Sequence, residues 1–280
     1  MKKKVSFSTV LLVVIFFLGL ALLLYPSVSD WWNSFHQSQA IVNYTEAVSR
    51  LSAEQYDLFW SEARDYNASL LKRPNGYLLS EEQREKYTKL LNLANDGIMG
   101  YIEIPSISCS LPIYHGTEES VLQVGIGHLD WTSLPAGGSS SHCVLSGHRG
   151  LPSATLFTHL DKLAVGEIFM LRVLDEILTY EIDQILIVEP DQTSDLLIVE
   201  GEDYCTLLTC TPYGINSHRL LVRGTRIENV RESNAVRVVA NATRVEPLIV
   251  APAVASPFLL FTLVWLLLPR RTVRRKAKQE

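Results

Sequence analysis

From Gly100 to Glu228 the chain is a succession of short runs rich in Val, Ile, Leu, Tyr and Thr, each closed by Gly, Pro, Ser or Asp. The runs are YIEIPSI (101–107), LPIYHG (111–116), SHCVLSGH (141–148), EIFMLRVL (167–174), EILTYEIDQILIVE (176–189), DLLIVEG (195–201), DYCTLLTCT (203–211) and HRLLVRGTRIE (218–228). Branched and aromatic residues between turn-forming punctuation read as strands. About eight strands in so short a stretch close on themselves or stack in two layers. The fold class is therefore mainly β, a closed barrel or a sandwich. One helix, roughly Ala154 to Leu163, interrupts the set.

Ahead of the strands, residues 30–95 read as helical. SEARDYNASLL (61–71) and SEEQREKYTKLLNLA (80–94) carry apolar and aromatic residues at helical spacing, and Ser80 opens an S-x-x-Q capping box. Between them KRPNGY (72–77) is a turn by composition.

Two apolar runs bracket this body, VSFSTVLLVVIFFLGLALLLY (5–25) and PLIVAPAVASPFLLFTLVWLLLP (247–269). Each has the length a helix needs to cross the hydrocarbon core, about 20 residues. Lys2, Lys3 and Lys4 precede the first; Arg270, Arg271, Arg274, Arg275, Lys276 and Lys278 follow the second. Basic flanks mark cytoplasmic ends, so both termini are expected in the cytoplasm and the body outside. A cleaved signal peptide ending near Ser27-Val28-Ser29 is the competing reading of the first run, but its apolar stretch is long for one. The expected organisation is a tail and anchor (1–28), a helical region (29–96), the β domain (97–228), a polar linker (229–246), a second span (247–269) and a basic tail (270–280). Between the basic tails remain 16 basic and 29 acidic residues, a net charge near −13. That balance argues against nucleic-acid partners.

Of the four cysteines, Cys109, Cys143 and Cys205 lie in apolar-alternating runs and read as buried free thiols. Their spacing matches no zinc pattern, and no metal-ligand cluster is visible. Cys210 differs. It precedes Thr211-Pro212, and proline cannot continue a central strand, so the thiol is expected at a sheet rim. A hairpin over the intervening residues would bring Arg219 beside it. A guanidinium there lowers a thiol pKa and can donate to a developing oxyanion. A buried cysteine with an ordinary surface arginine is the bland alternative.

A thiol nucleophile also needs a proton-transfer partner, usually histidine. Among seven histidines, His148 sits in Ser146-Gly147-His148-Arg149-Gly150, at the end of an apolar run. His218 adjoins Arg219, but neighbours on a strand point to opposite faces, so the two cannot both face the site. His36 and His159 read as helical, His115 and His128 as loop residues, and His142 as flanking a strand.

SGHRG (146–150) followed by TLLTCTPYGINSHRLLVRG (206–224) resembles the sortases, the cysteine transpeptidases of the Gram-positive cell surface. GIMGYIEIP (97–105), LPIYHGT (111–117) and SGHRGLPSATLFTHLDKL (146–163) extend the likeness. The resemblance implies a closed barrel of about eight strands. It implies Cys210 as nucleophile, His148 as general acid/base and Arg219 as stabiliser of the oxyanion or substrate. It further implies secreted partners bearing an LPxTG-type sorting signal, cleaved after threonine, and an amine that resolves the thioacyl enzyme. A thioester keeps the acyl group activated, so no cofactor or metal is expected.

Two spans and a long helical N-terminal region resemble class C, the pilus-assembling sortases, whose accepting amine is a pilin lysine. A housekeeping sortase would use a cell-wall precursor instead. A purely hydrolytic cysteine protease would use the same thiol and histidine, and a silent binding module would use neither. Many class C sortases carry an Asp-Pro-aromatic lid, and this chain has no Asp-Pro dipeptide. Tyr77 is the aromatic that would plug the site if residues 73–78 acted as a lid; those residues read first as a plain helix-helix turn.

Overall fold

The computed structural model describes residues 7–71, 79–229 and Ser256. The turn around Tyr77, the linker after Asn229 and the second span, apart from Ser256, lie outside the described residues. The first apolar run opens α1, a single helix Phe7–Ser49 that continues through Pro26. It is long and apolar enough to cross a membrane, and the apolar window is not buried.

Past Asp30, α1 uses polar side chains to dock on loops of the β domain. Asp30 Oδ1 accepts from Thr155 N at 2.7 Å and from Thr155 Oγ1 at 2.9 Å, and Asn33 donates to the Ser153 carbonyl at 2.7 Å. Tyr44 is buried; its hydroxyl donates to the Met99 carbonyl at 2.9 Å and accepts from Leu174 N at 2.7 Å. One phenol thus satisfies a backbone acceptor and a backbone donor, each of which is costly to bury unpaired.

The second helix, α2 (Ala53–Leu70), starts at a capping box made by Ser52 and Gln55. It buries Trp60, Ala63, Asn67 and Leu70, spaced three or four residues apart along one face. Asn67 grips both backbone groups of Leu134, donating to its carbonyl at 3.2 Å and accepting from its N–H at 2.7 Å. The third helix, α3 (Glu81–Tyr87), begins at the expected Ser80 capping box but ends early. The helical pattern to residue 94 is overridden because Tyr87 is drawn into the core. Its hydroxyl lies 2.9 Å from His128 Nδ1 and accepts from Gly116 N at 3.0 Å, and Leu91 takes a positive φ.

Eight strands follow: β1 (Ile98–Ile104), β2 (Cys109–His115), β3 (Ile126–His128), β4 (Ser141–Ser146), β5 (Ile168–Val173), β6 (Glu176–Val188), β7 (Asp203–Thr211) and β8 (His218–Arg226). They form a closed barrel in the order β1-β2-β3-β4-β7-β8-β6-β5, which leaves no sheet edge. The pairs β2–β3 and β4–β7 are parallel and the others antiparallel. Inward residues such as Ile102, Ile113, Leu145, Phe169, Leu171, Leu207 and Val222 fill the interior. Each large apolar side chain so buried contributes roughly 1.5–3 kcal/mol.

The strand count agrees with expectation, but one member does not. DLLIVEG (195–201) is a 3-10 turn, Ser194–Leu196, and loop rather than a strand. It folds over the outer face of the barrel, where Leu196 joins Val144, Val188 and Leu221 in a second apolar cluster. His142 pins it there, with Nδ1 2.9 Å from the Leu197 carbonyl. The eighth strand is instead Ile126–His128, three residues long and too short to show a pattern. The expected helix from Ala154 to Leu163 is only a 3-10 turn at Leu160–Lys162, its start diverted by the Asp30 contacts on Thr155. A short helix, α4 (Glu119–Leu122), precedes β3.

Candidate active site

Alternation along the strands decides which residues meet. In β7, Cys205 and Leu207 point into the main core while Leu208 packs on the outer cluster. Cys210 shares parity with Leu208 and so belongs to the outer face. In β8, Leu220 and Val222 point inward and Leu221 outward, which places Arg219 on the outer face too. Cys210 and Arg219 are direct partners in the β7–β8 register. Side chains of such a pair start about 5 Å apart. Thr211 pairs with His218, which has the opposite parity and approaches Glu189 at 3.3 Å.

The parallel pairing of β4 with β7 brings in His148. Its last rung is Ser146 opposite Leu208. Two further bonds extend the ladder: Gly147 N donates to the Leu208 carbonyl at 3.0 Å, and Thr209 Oγ1 donates to the Gly147 carbonyl at 2.7 Å. His148 is thereby carried to the level of Cys210, with the outward parity of Val144 and Ser146. Gly147 is needed for this close approach, since a Cβ there would lie 2.7 Å from Phe157 Cδ2 and 3.0 Å from Ile126 Cγ2. Cys210, His148 and Arg219 thus occupy one rim of the barrel, each partly exposed, beside a floor of Val144, Leu208 and Leu221.

Sequence reasoning missed three neighbours. Glu119, at the start of α4, lies with Oε2 3.4 Å from His148 Nε2. The Gln123 amide, and then His148, hold its carboxyl below the usual range. Arg149 is the second. Its side chain is 8% exposed, and it donates to Thr211 Oγ1 at 3.2 Å and to Asp161 Oδ2 at 2.5 Å. The third is Thr209, whose hydroxyl ties the two site segments together. Arg149 sits inside the SGHRG run, so a signal for it existed; nothing in the sequence links Glu119 to His148.

Arg219 donates to the carbonyls of Asn216 at 3.3 Å and His218 at 3.2 Å. Among the described residues no carboxylate reaches it, so its charge faces the rim without a counter-ion. A thiol, an imidazole beside a carboxylate and a guanidinium bonded only to backbone carbonyls among the described residues together suit acyl transfer.

The other thiols belong to the barrel itself. Cys143 and Cys205 are buried, unoxidised neighbours in the β4–β7 ladder, and burial pushes the Cys205 thiol well up. Cys109, expected buried, is only partly so by exposure, yet its thiol is pushed up to about 12 by desolvation. His115 and His128, expected in loops, are buried in β2 and β3. No group of three or more His, Cys, Asp or Glu placed to hold a metal occurs among the described residues. Tyr77 has no position here, because it lies outside them.

The family profile described as the Sortase domain matches residues 102–227. The crystal structure of sortase C1 from Streptococcus agalactiae is similar at 48% identity with a TM-score of 0.67, covering 69% of this chain and 100% of that one. A sortase C of Streptococcus pneumoniae, described for its catalysis and pilin substrate specificity, is similar at 46% identity and TM-score 0.62, covering 68% and 97%. Sortase D of Bacillus subtilis is 33% identical over 131 residues, 46% of this chain. That match spans 63% of the length of the Bacillus protein. The chain belongs to the sortase family of cysteine transpeptidases and is most like its class C members.

Proposed function

We propose that Cys210, His148 and Arg219 form the reaction centre of a pilin-polymerising transpeptidase. The observation that carries this is the shared rim: Cys210 opposite Arg219 in register, with His148 brought alongside by the parallel β4–β7 ladder. The Cys210 thiolate attacks the threonine carbonyl carbon of an LPxTG-type signal. Arg219 donates to the oxyanion of the tetrahedral intermediate. His148, as imidazolium, gives its proton to the departing glycine nitrogen as the C–N bond breaks, which leaves a thioester on Cys210. A pilin lysine then attacks the thioester, His148 takes the proton from its nitrogen, and the thiolate leaves as an amide forms. Glu119 beside His148 can hold the ring in place through its 3.4 Å contact with Nε2.

The pilin reading is supported by the likeness to a sortase described with pilin substrate specificity. The anchoring is part of the same proposal. Residues 1–28 and 247–269 cross the membrane, residues 29–96 and 97–228 form the external helical and barrel regions, 229–246 links them to the second span, and the basic ends stay in the cytoplasm. The apolar helix at the start of α1 is the feature that supports it.

The test is reconstitution. Full-length protein in detergent is mixed with a pilin bearing an LPxTG-type signal. A ladder of covalent multimers is expected, and Cys210→Ala removes it. A ladder that survives Cys210→Ala, or release of a free carboxylate alone despite abundant pilin lysine, would count against the proposal.

A further inference from the structure

We propose that Arg149 is a positioning residue, tying the turn that carries His148 to the strand end that carries Cys210 and thereby setting their separation. The inference rests on the reading of Cys210 and His148 given above. Arg149 follows His148 directly and points to the opposite side of the segment, into the protein, where its side chain is 8% exposed. Its guanidinium donates at one corner to Thr211 Oγ1 at 3.2 Å and at another to Asp161 Oδ2 at 2.5 Å. The guanidinium carbon lies 5.9 Å from the centre of the Tyr213 ring. Thr211 and Tyr213 flank Cys210 on its C-terminal side, while Thr209 on its N-terminal side bonds to Gly147. The His148 turn is therefore laced to both sides of Cys210, and Arg149 supplies one of the two sides.

The chemistry of the contact favours positioning over plain stability. The Arg149 side chain is buried but Asp161 is 44% exposed, and an ion pair open to solvent on one side adds little to stability, so its main effect is to orient the guanidinium. Arg149 Nε has no hydrogen-bond partner among the described residues, so the side chain is held by its two terminal nitrogens. The planar fork also makes two directed bonds at once, which a lysine ammonium on a flexible stem cannot reproduce. Asp161, from the 3-10 turn Leu160–Lys162, anchors the fork from the far side.

The experiment compares full-length wild type, Arg149→Met, Arg149→Lys, Thr211→Val and Cys210→Ala in detergent. A soluble LPxTG-type peptide and a small amine acceptor give kcat and KM. Iodoacetamide labelling of the Cys210 peptide, read by mass spectrometry across pH, reports the thiol and its imidazole neighbour. Arg149→Met is expected to lower kcat by about 10- to 100-fold with little change in KM, because a displacement of about 1 Å costs on that order. Its labelling profile should differ from that of wild type, since the imidazole no longer sits beside the sulfur. Arg149→Lys recovers part of kcat, and Thr211→Val shows the same pattern more weakly. Should Arg149→Met fail to fold, Thr211→Val still decides, because it leaves the Arg149–Asp161 pair in place. Wild-type kcat and labelling profiles in the folded variants, even with lowered melting temperatures, would overturn the positioning role alone. Turnover that persists in Cys210→Ala would instead overturn the assignment of the centre on which it rests.

Discussion

Thr209→Val isolates one bond between the two halves of the site. Thr209 is 1% exposed, and its hydroxyl donates to the Gly147 carbonyl at 2.7 Å, one residue from each of Cys210 and His148. Valine keeps the shape and removes only the donor. A buried bond contributes about 1 kcal/mol net, and an acceptor left unpaired raises the loss to about 2 kcal/mol. For a folded body of this size that lowers the melting temperature by roughly 4–8 °C. Slack in the His148 turn should also lower kcat about ten-fold. Thr206→Val is the internal control. Thr206 is equally buried, its hydroxyl lies 2.7 Å from His142 Nε2, and it sits about 10 Å back along the same strand. It should lose similar stability while turnover is kept. The assays are thermal melting by near-ultraviolet circular dichroism and peptide turnover well below both melting points. If both variants lose turnover alike, or neither does, the lacing of Gly147 to β7 has no special bearing on the site.

Three further outcomes are expected. Gly147→Ala forces a methyl against Phe157 and Ile126, costing about 1–3 kcal/mol and lowering turnover; adding Phe157→Leu should restore part of both, measured by the same melts and rates. Tyr44→Phe leaves the Met99 carbonyl and Leu174 N–H without their shared hydroxyl and should cost about 2–3 kcal/mol, read as faster hydrogen exchange at Leu174. Burial holds the His115 and His142 imidazoles below their usual value, so the folded state keeps them neutral while the unfolded chain takes up protons near pH 6.5. Stability should therefore fall as pH drops from about 6.5 through the depressed native values, by at most ~1.4 kcal/mol per pH unit for each histidine, and His142→Gln should flatten the curve.

Much of the barrel was legible because its strands are long enough to alternate and are punctuated by turn residues. The failures share a physical cause. DLLIVEG has strand composition but serves as a cover: Leu196 is spent on the outer cluster, and Leu197 and Val199 stay exposed. Ile126–His128 is held by neighbours on both sides and not by its own pattern. The Ala154 to Leu163 segment answers to Asp30, 125 residues away, over its local helical spacing.

The site divides in the same way. Cys210 beside Arg219 followed from a hairpin and parity. His148 entered by resemblance, since the β4–β7 pairing that delivers it joins residues 62 apart and is parallel, a register that no local turn encodes. Glu119 acts through such a long-range contact and carried no local mark, whereas Thr209 lay inside the TLLTC run although its bond to Gly147 was not legible there.

The central claim is that Cys210 holds the acyl group, and the direct measurement is the mass of the trapped intermediate. Full-length protein is incubated with an LPxTG-type peptide without acceptor amine, quenched in acid and digested. The peptide containing Cys210 should gain the mass of the signal up to its threonine, as a hydroxylamine-labile thioester, and added amine should remove it. An acyl group found on Cys109, Cys143 or Cys205, or substrate consumed with Cys210 replaced by alanine, would contradict it.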